Sequence, residues 1–248
     1  MKIQPMLDVL PEGQRLLWPH LRDMPKDFVL YGGTAIALRF GHRQSVDFDF
    51  FTSKQGIDLL KIGEALPFVS KFPHEIQYRS EYHVDFQINI QDNIVQLTLL
   101  NDREVVAGSI SPPDISADNR IKIATPIDLM ACKLIAINNR ISSKDFVDIA
   151  EMVKQGISLQ KGCEAAYAIA KISHIGTDQL MFDVMHKYFY SDLVAKKISS
   201  EPQFSNNSEE YVKILRQSVQ SVDIKKIYNT HIKAHTCIER NATQERER

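Results

Sequence analysis

The sequence predicts an α/β chain: a mixed-sheet domain over residues 1–124, an α-helical bundle domain over residues 125–240 and a disordered tail at 241–248. Three observations carry this reading. Between Phe28 and Thr52 a strand runs into Gly32-Gly33-Thr34, a short helix and a second strand bearing Asp47 and Asp49. From His83 to Leu100, polar and apolar residues alternate in two runs around Gln91-Asp92-Asn93, as a β-hairpin requires. From Thr125 onward, apolar residues recur at helical spacing between Ser, Gly and Asn breaks.

In chain order, Leu10 to Leu21 reads as a first helix, with Pro11 early and Leu16, Leu17, Trp18 and Leu21 on its apolar side. Phe28 to Tyr31 is a strand. Gly32 and Gly33 lack Cβ atoms, so the backbone can approach a ligand closely, and the first amides of the following helix can face a phosphate. Thr34 adds a hydroxyl. On the next strand, residues two apart share a face, so Asp47 and Asp49 project together while Val46, Phe48 and Phe50 turn to the core. Such a pair can converge on divalent cations, the usual clamp for displacement at phosphorus, and Mg²⁺ shares its oxygen ligands between carboxylates and substrate phosphates.

Leu59 to Val69 reads as a helix interrupted by Pro67, and the hairpin strands follow. Pro112 to Arg120 is a polar connector, and Ile121 to Ala124 a short strand. Thr125 and Asp128, with Pro126 at the first helical position, form a capping box; Ser142 and Asp145 form a second, opening the helix Lys144 to Lys154. Further helices are expected at Leu159 to Ala170, Gln179 to Tyr190 and Glu209 to about Thr236, with breaks at Ser173 to Thr177 and Ser199 to Ser208. A mildly basic stretch closes the last of them, with Lys225, Lys226, His231, Lys233 and His235.

Composition excludes several classes. A net charge of −1 over 248 residues does not fit a bulk polyanion binder. Three well-spaced cysteines, Cys132, Cys163 and Cys237, make neither a disulfide framework nor a Cys-x-x-Cys zinc site, which fits a reducing cytoplasm. No run suits a signal peptide or a bilayer span, so no membrane partner is expected. No zincin helix, Gly-x-Ser-x-Gly elbow or Walker loop is present.

Two segments resemble a known family. GGTAIALRFGHRQSVDFDFF, from Gly32, and PIDLMACKLIAINNRISSKDFVDIAEMV, from Pro126, are similar to the AbiEii/AbiGii-type abortive-infection nucleotidyltransferases, a branch of the DNA polymerase β superfamily. The resemblance implies a minimal nucleotidyltransferase fold and Mg²⁺- or Mn²⁺-dependent transfer of a nucleoside monophosphate from a nucleoside triphosphate to an acceptor hydroxyl. It further implies a toxin with RNA such as tRNA as acceptor and a cognate antitoxin as partner. By the same resemblance, Asp47 and Asp49 bind metal. Gly32, Gly33, Thr34, Arg43, Ser45 and Lys133 hold the nucleotide, and Lys133 and Asp145 join the acid pair in catalysis.

Arg140 with Asp145 or Asp148 reads as an ordinary ion pair holding the two helices together, a structural role for Arg140 and Asp148. The family pattern places a third acid near Thr98, which is not acidic. Three outcomes stay open there: catalysis with two acids, a shifted acid at Asp85 or Asp102, or a nucleotide-binding module without turnover.

Overall fold

The computed structural model describes residues 1–102, 105–106, 109, 111–172 and 180–227. Its first half builds an eight-stranded mixed sheet from β1 (Lys2–Ile3), β2 (Val29–Tyr31), β3 (Asp47–Thr52), β4 (His74–Arg79), β5 (His83–Ile90), β6 (Asn93–Asn101), β7 (Asp114–Ser116) and β8 (Lys122–Ile123). The strand order is β1-β7-β8-β2-β3-β6-β5-β4. β3 pairs antiparallel with β2 and parallel with β6, so the acidic strand is central.

β3 alternates as its sequence demands. Phe48 and Phe50 are fully buried, and Trp18 packs on Phe48 at 6.2 Å between ring centroids. That face also collects Phe86, Leu97 and Leu99 from β5 and β6 and is covered by α1 (Glu12–Leu17) and α3 (Leu59–Glu64), with α4 (Pro67–Lys71) packed beside α3. Burying six such side chains is worth roughly 2 kcal/mol each, which fixes the register and turns Asp47 and Asp49 to the opposite face. Val46 departs from the expectation: it lies before the strand and is exposed. The first helix is shorter than Leu10 to Leu21, because Pro19 breaks the α-helical ladder and residues 18–23 tighten into a 3₁₀ segment.

The hairpin of β5 and β6 forms as read, closed by Gln91 and Asp92 in the left-handed region. Its outer neighbour β4 is an addition, exposed at all six residues and bulged between Ile76 and Tyr78. β7 lies inside the expected polar connector and is held by the parallel strand β1 and by β8.

The second half is helical among the described residues: α5 (Pro126–Asn139), α6 (Ser143–Lys154), α7 (Leu159–Ile172), α8 (Leu180–Phe189), α9 (Asp192–Ser200), α10 (Pro202–Ser205) and α11 (Ser208–Gln220). Thr125 caps α5 by accepting a hydrogen bond from the Asp128 amide. Ser142 makes no such side-chain bond at the start of α6, so the second capping box is absent. α9 and α10 occupy the stretch around the expected Ser199 to Ser208 break; the last expected helix is broken at residues 221–223 after Gln220 and helical again at 224–227, and residues 228–236 lie outside the described residues. Ser173 to Thr177, His231, Lys233, His235, Cys237 and the 241–248 tail lie outside the described residues. No helix among the described residues is long and apolar enough to cross a membrane.

Candidate active site

β2 leads directly into α2 (Gly32–Phe40), which begins at Gly32 itself. Gly32 has φ +73°, and a Cβ there would collide with the Asp49 carboxylate; one on Gly33 would run into the Arg43 guanidinium and stand 2.9 Å from Ser45 Oγ. Only hydrogen fits at either position. The bend thus brings backbone against the acidic strand on one side and the α2–β3 loop on the other. The Thr34 hydroxyl donates to the Asp47 carbonyl oxygen at 2.5 Å, tying α2 to β3.

Asp47 and Asp49 flank this bend on a cleft of about 530 Å³, also lined by Arg43, Lys133, Arg140 and Lys144. Neither carboxylate takes a hydrogen bond or ion pair among the described residues. Burial, then the neighbouring Asp47 charge, pushes the Asp49 carboxyl up to about 6, against the pull of Lys133. Burial likewise raises Asp47, with Lys144 opposing. Buried carboxylates without partners are costly, and a cation removes that cost. No cluster of three or more His, Cys, Asp or Glu that could hold a metal ion forms among the described residues. Two acids with open space in front therefore fit Mg²⁺, which takes further oxygens from phosphate and water.

The opposite wall is built differently. Asp148, fully buried on α6, receives the Arg43 fork through Nε at 2.6 Å and Nη2 at 2.8 Å, His42 Nε2 at 2.7 Å and Lys133 Nζ at 2.8 Å. Burial alone would raise this carboxyl; Lys133, His42 and Arg43 hold it far below the usual carboxylate range. Lys133 Nζ also meets Asp145 Oδ1 at 2.7 Å, and Arg140 Nε reaches Asp145 Oδ2 at 2.9 Å. Burial would lower the Lys133 amine, but Asp148 and Asp145 raise it, so it stays charged. The Arg43–Asp148 fork thereby bolts the α2–β3 loop to α6 across the cleft.

The profile described as "Nucleotidyl transferase AbiEii toxin, Type IV TA system" matches residues 21–222, which contain every residue just described. The chain belongs to this family. An uncharacterized protein of Aquifex aeolicus (strain VF5) is 29% identical over 191 residues, covering 75% of this chain and 88% of its own. Two solved structures share the fold of this AbiEii-family chain. One, assigned as a nucleotidyltransferase from H. pylori, has TM-score 0.56 and 19% identity, covering 88% of this chain and 94% of its own. The other is MenT4, a nucleotidyltransferase toxin of Mycobacterium tuberculosis H37Rv, with TM-score 0.53, 12% identity and coverage of 85% and 84%.

Within the AbiEii frame, the cleft brings together Gly32, Gly33, Arg43, Ser45, Asp47, Asp49, Lys133 and Asp145. Thr34 is a correction: it is fully buried, and its hydroxyl is committed to the Asp47 carbonyl oxygen, so it cannot face a triphosphate. The expected Arg140–Asp145 ion pair is present. Asp148 reaches further than that expectation, to His42 and Arg43 more than a hundred residues away.

Lys144 was missed. It lines the cleft, and its charge acts on Asp47, yet it makes no ion pair among the described residues. Its place beside Asp145 in the second motif was the available signal. Thr98 lies beside Asp49 in the sheet and donates to Asp85, whereas Asp102 bonds the Val105 amide near Cys132.

Proposed function

We propose that this protein transfers a nucleoside monophosphate from a nucleoside triphosphate to an acceptor hydroxyl on RNA, tRNA being the leading candidate. It would act as the toxin of a pair with a cognate antitoxin, in the cytoplasm. The observation that carries this reading is the meeting, in one cleft, of the Gly32-Gly33 bend, two partnerless carboxylates and a wall of cations. Asp47 and Asp49 would hold Mg²⁺ or Mn²⁺, which when bound neutralises charge developing on the phosphoryl oxygens.

The remaining work falls to the chain itself. The amides at the start of α2 receive the triphosphate where the absence of Cβ atoms lets it approach. Lys144 is the cation free to turn onto phosphate. Lys133 is held by Asp145 and Asp148 and keeps their charges compensated, so its contribution is mainly to position Asp145 and the wall that carries Arg43 and Arg140. Electrostatic preorganisation of this kind supplies most of the barrier reduction in phosphoryl-type transfer.

A second reading keeps the nucleotide pocket without turnover. It is favoured by the neutral Thr98 at the strand position next to Asp49. Incubation with labelled nucleoside triphosphates, Mg²⁺ and total RNA separates the two. Label on RNA, reduced about 10³-fold by Asp49→Ala, supports transfer; nucleotide binding with no label moved supports the binding module. Label on protein would redirect the acceptor to a polypeptide.

A further inference from the structure

At the end of the sheet away from the Gly32 bend lies a second concavity, of about 440 Å³, that shares no residue with the cleft. Phe28, which lines it, stands just before β2, and Gly32 just after, so about 13 Å of extended chain sets the two apart. The lining brings together Arg22 near the end of the 3₁₀ segment, Lys26 before β2, Arg120 between β7 and β8, and Lys122 on β8. A volume of this order suits a compact ligand.

None of these four cations forms an ion pair among the described residues; Arg22 gives its Nε to the Pro19 carbonyl oxygen at 3.1 Å, and Lys122 its Nζ to that of Lys26 at 2.6 Å. Asp118, the one acid of the lining, is already engaged: it accepts from Trp18 Nε1 at 2.7 Å, from the Asn119 amide at 2.8 Å and from the Ser116 hydroxyl. Asp23 and Asp27 lie outside the lining, and Asp27 pairs with Lys54 at 3.0 Å. In a chain of net charge −1, four cations against one engaged carboxylate make a local field that draws anions. Between the cations the floor is apolar: Met24, Phe28 and Ile121 are buried, and Ile115 keeps 39% exposure. A bare inorganic anion gains nothing from such a floor, whereas a phosphate carried on a flat, largely apolar body does. Arg120 lines the pocket from φ +66°, a left-handed backbone that a long side chain seldom adopts, and arginine forks take phosphate through two parallel hydrogen bonds.

We propose that this pocket is a second nucleoside-phosphate site, independent of metal and separate from the cleft. Arg22 and Arg120 take the phosphate, Lys26 and Lys122 add positive charge around it, and the floor at Ile115 lies under the base. Because the only carboxylate of the lining is engaged, no bridging cation is required. A free mononucleotide and the phosphorylated end of an RNA chain share this chemistry.

The test is calorimetric titration of the full chain with AMP in EDTA, repeated with inorganic phosphate and with a 5′-phosphorylated RNA trinucleotide. The variants are Arg22→Gln/Arg120→Asn, in which asparagine tolerates the left-handed backbone, the single charge reversal Lys26→Glu at an exposed position, and Asp49→Asn as the control for the cleft. The expected result is one AMP per chain, bound at least about tenfold more weakly by the double variant, at least about threefold more weakly by Lys26→Glu and equally well by Asp49→Asn. Inorganic phosphate is expected to bind at least about fivefold more weakly than AMP. Trinucleotide binding tighter than AMP makes the RNA end the source of the ligand; weaker binding makes it the free nucleotide. No AMP binding at about millimolar concentration, unchanged affinity in either pocket variant, affinity lost with Asp49→Asn, or phosphate bound as tightly as AMP overturns the proposal, and none of these outcomes touches the transfer reading.

Discussion

The cleft has two acidic pairs, and they behave in opposite ways. Asp47 and Asp49 on β3 are without partners, and burial raises both. Asp145 and Asp148 on α6 are more deeply buried, yet Lys133, Arg43 and Arg140 hold both down. Desolvation acts in the same direction on all four; what differs is whether a cation is built in. The α6 pair is finished architecture. The β3 pair has no such cation among the described residues, and on that contrast the proposed metal-binding role rests.

The largest break in this contrast should come from Asp148→Ala. It strands the buried charge of Arg43 and leaves Lys133 with Asp145 alone, and removing one partner of a buried ion network costs about 3–5 kcal/mol, to be read as a drop in unfolding free energy in urea. Gly32→Ala comes next, because a Cβ at φ +73° collides with the Asp49 carboxylate. A loss of about 1–3 kcal/mol is expected, with Mn²⁺-triphosphate affinity falling in a calorimetric titration; unchanged affinity would separate the bend from the acid pair.

Asp49→Asn should move stability the other way. A carboxyl raised to about 6 in the folded state and about 3.9 when unfolded costs nothing below about pH 4. It destabilises progressively as pH rises to about 6, and the penalty then stays constant. The amide should therefore stabilise the metal-free protein by about 2–3 kcal/mol at pH 8 and by under about 0.5 kcal/mol at pH 4, measured by thermal unfolding at both. A stabilisation equal at both pH values would refute the electrostatic origin. The smallest effect belongs to Arg140→Ala: its side chain is 64% exposed, so losing its bridge to Asp145 should cost under about 1 kcal/mol.

The contrast was only half legible beforehand. Gly32-Gly33 and the Asp47, Asp49 spacing are local signals, and local rules suffice for a bend, a strand face, the β5–β6 hairpin and the Thr125 cap. The finished pair is non-local. Nothing near Asp148 announces that His42 and Arg43 will reach it, and nothing near Ser142 shows that Asp145 is drawn to Lys133 and Arg140 instead of closing a capping box. The two- and three-residue strands β1 and β7 exist because Lys2 and Ile3 find Ile115 and Ser116 across the chain, a pairing too short to leave any periodicity. Thr34 misled for a related reason: a hydroxyl beside a glycine bend serves a ligand or a neighbouring carbonyl equally well in sequence, and only packing decides.

The outermost strand has a consequence for how this protein keeps company with itself. A straight border with Ile76 and Tyr78 uncovered would offer its spare amides and carbonyls to any passing chain, the first step toward fibrous stacking. The irregular step at Gln77, set between Glu75 and Arg79, twists that border away from such pairing. One surplus residue thus acts as a guard on colloidal behaviour, far from any chemistry.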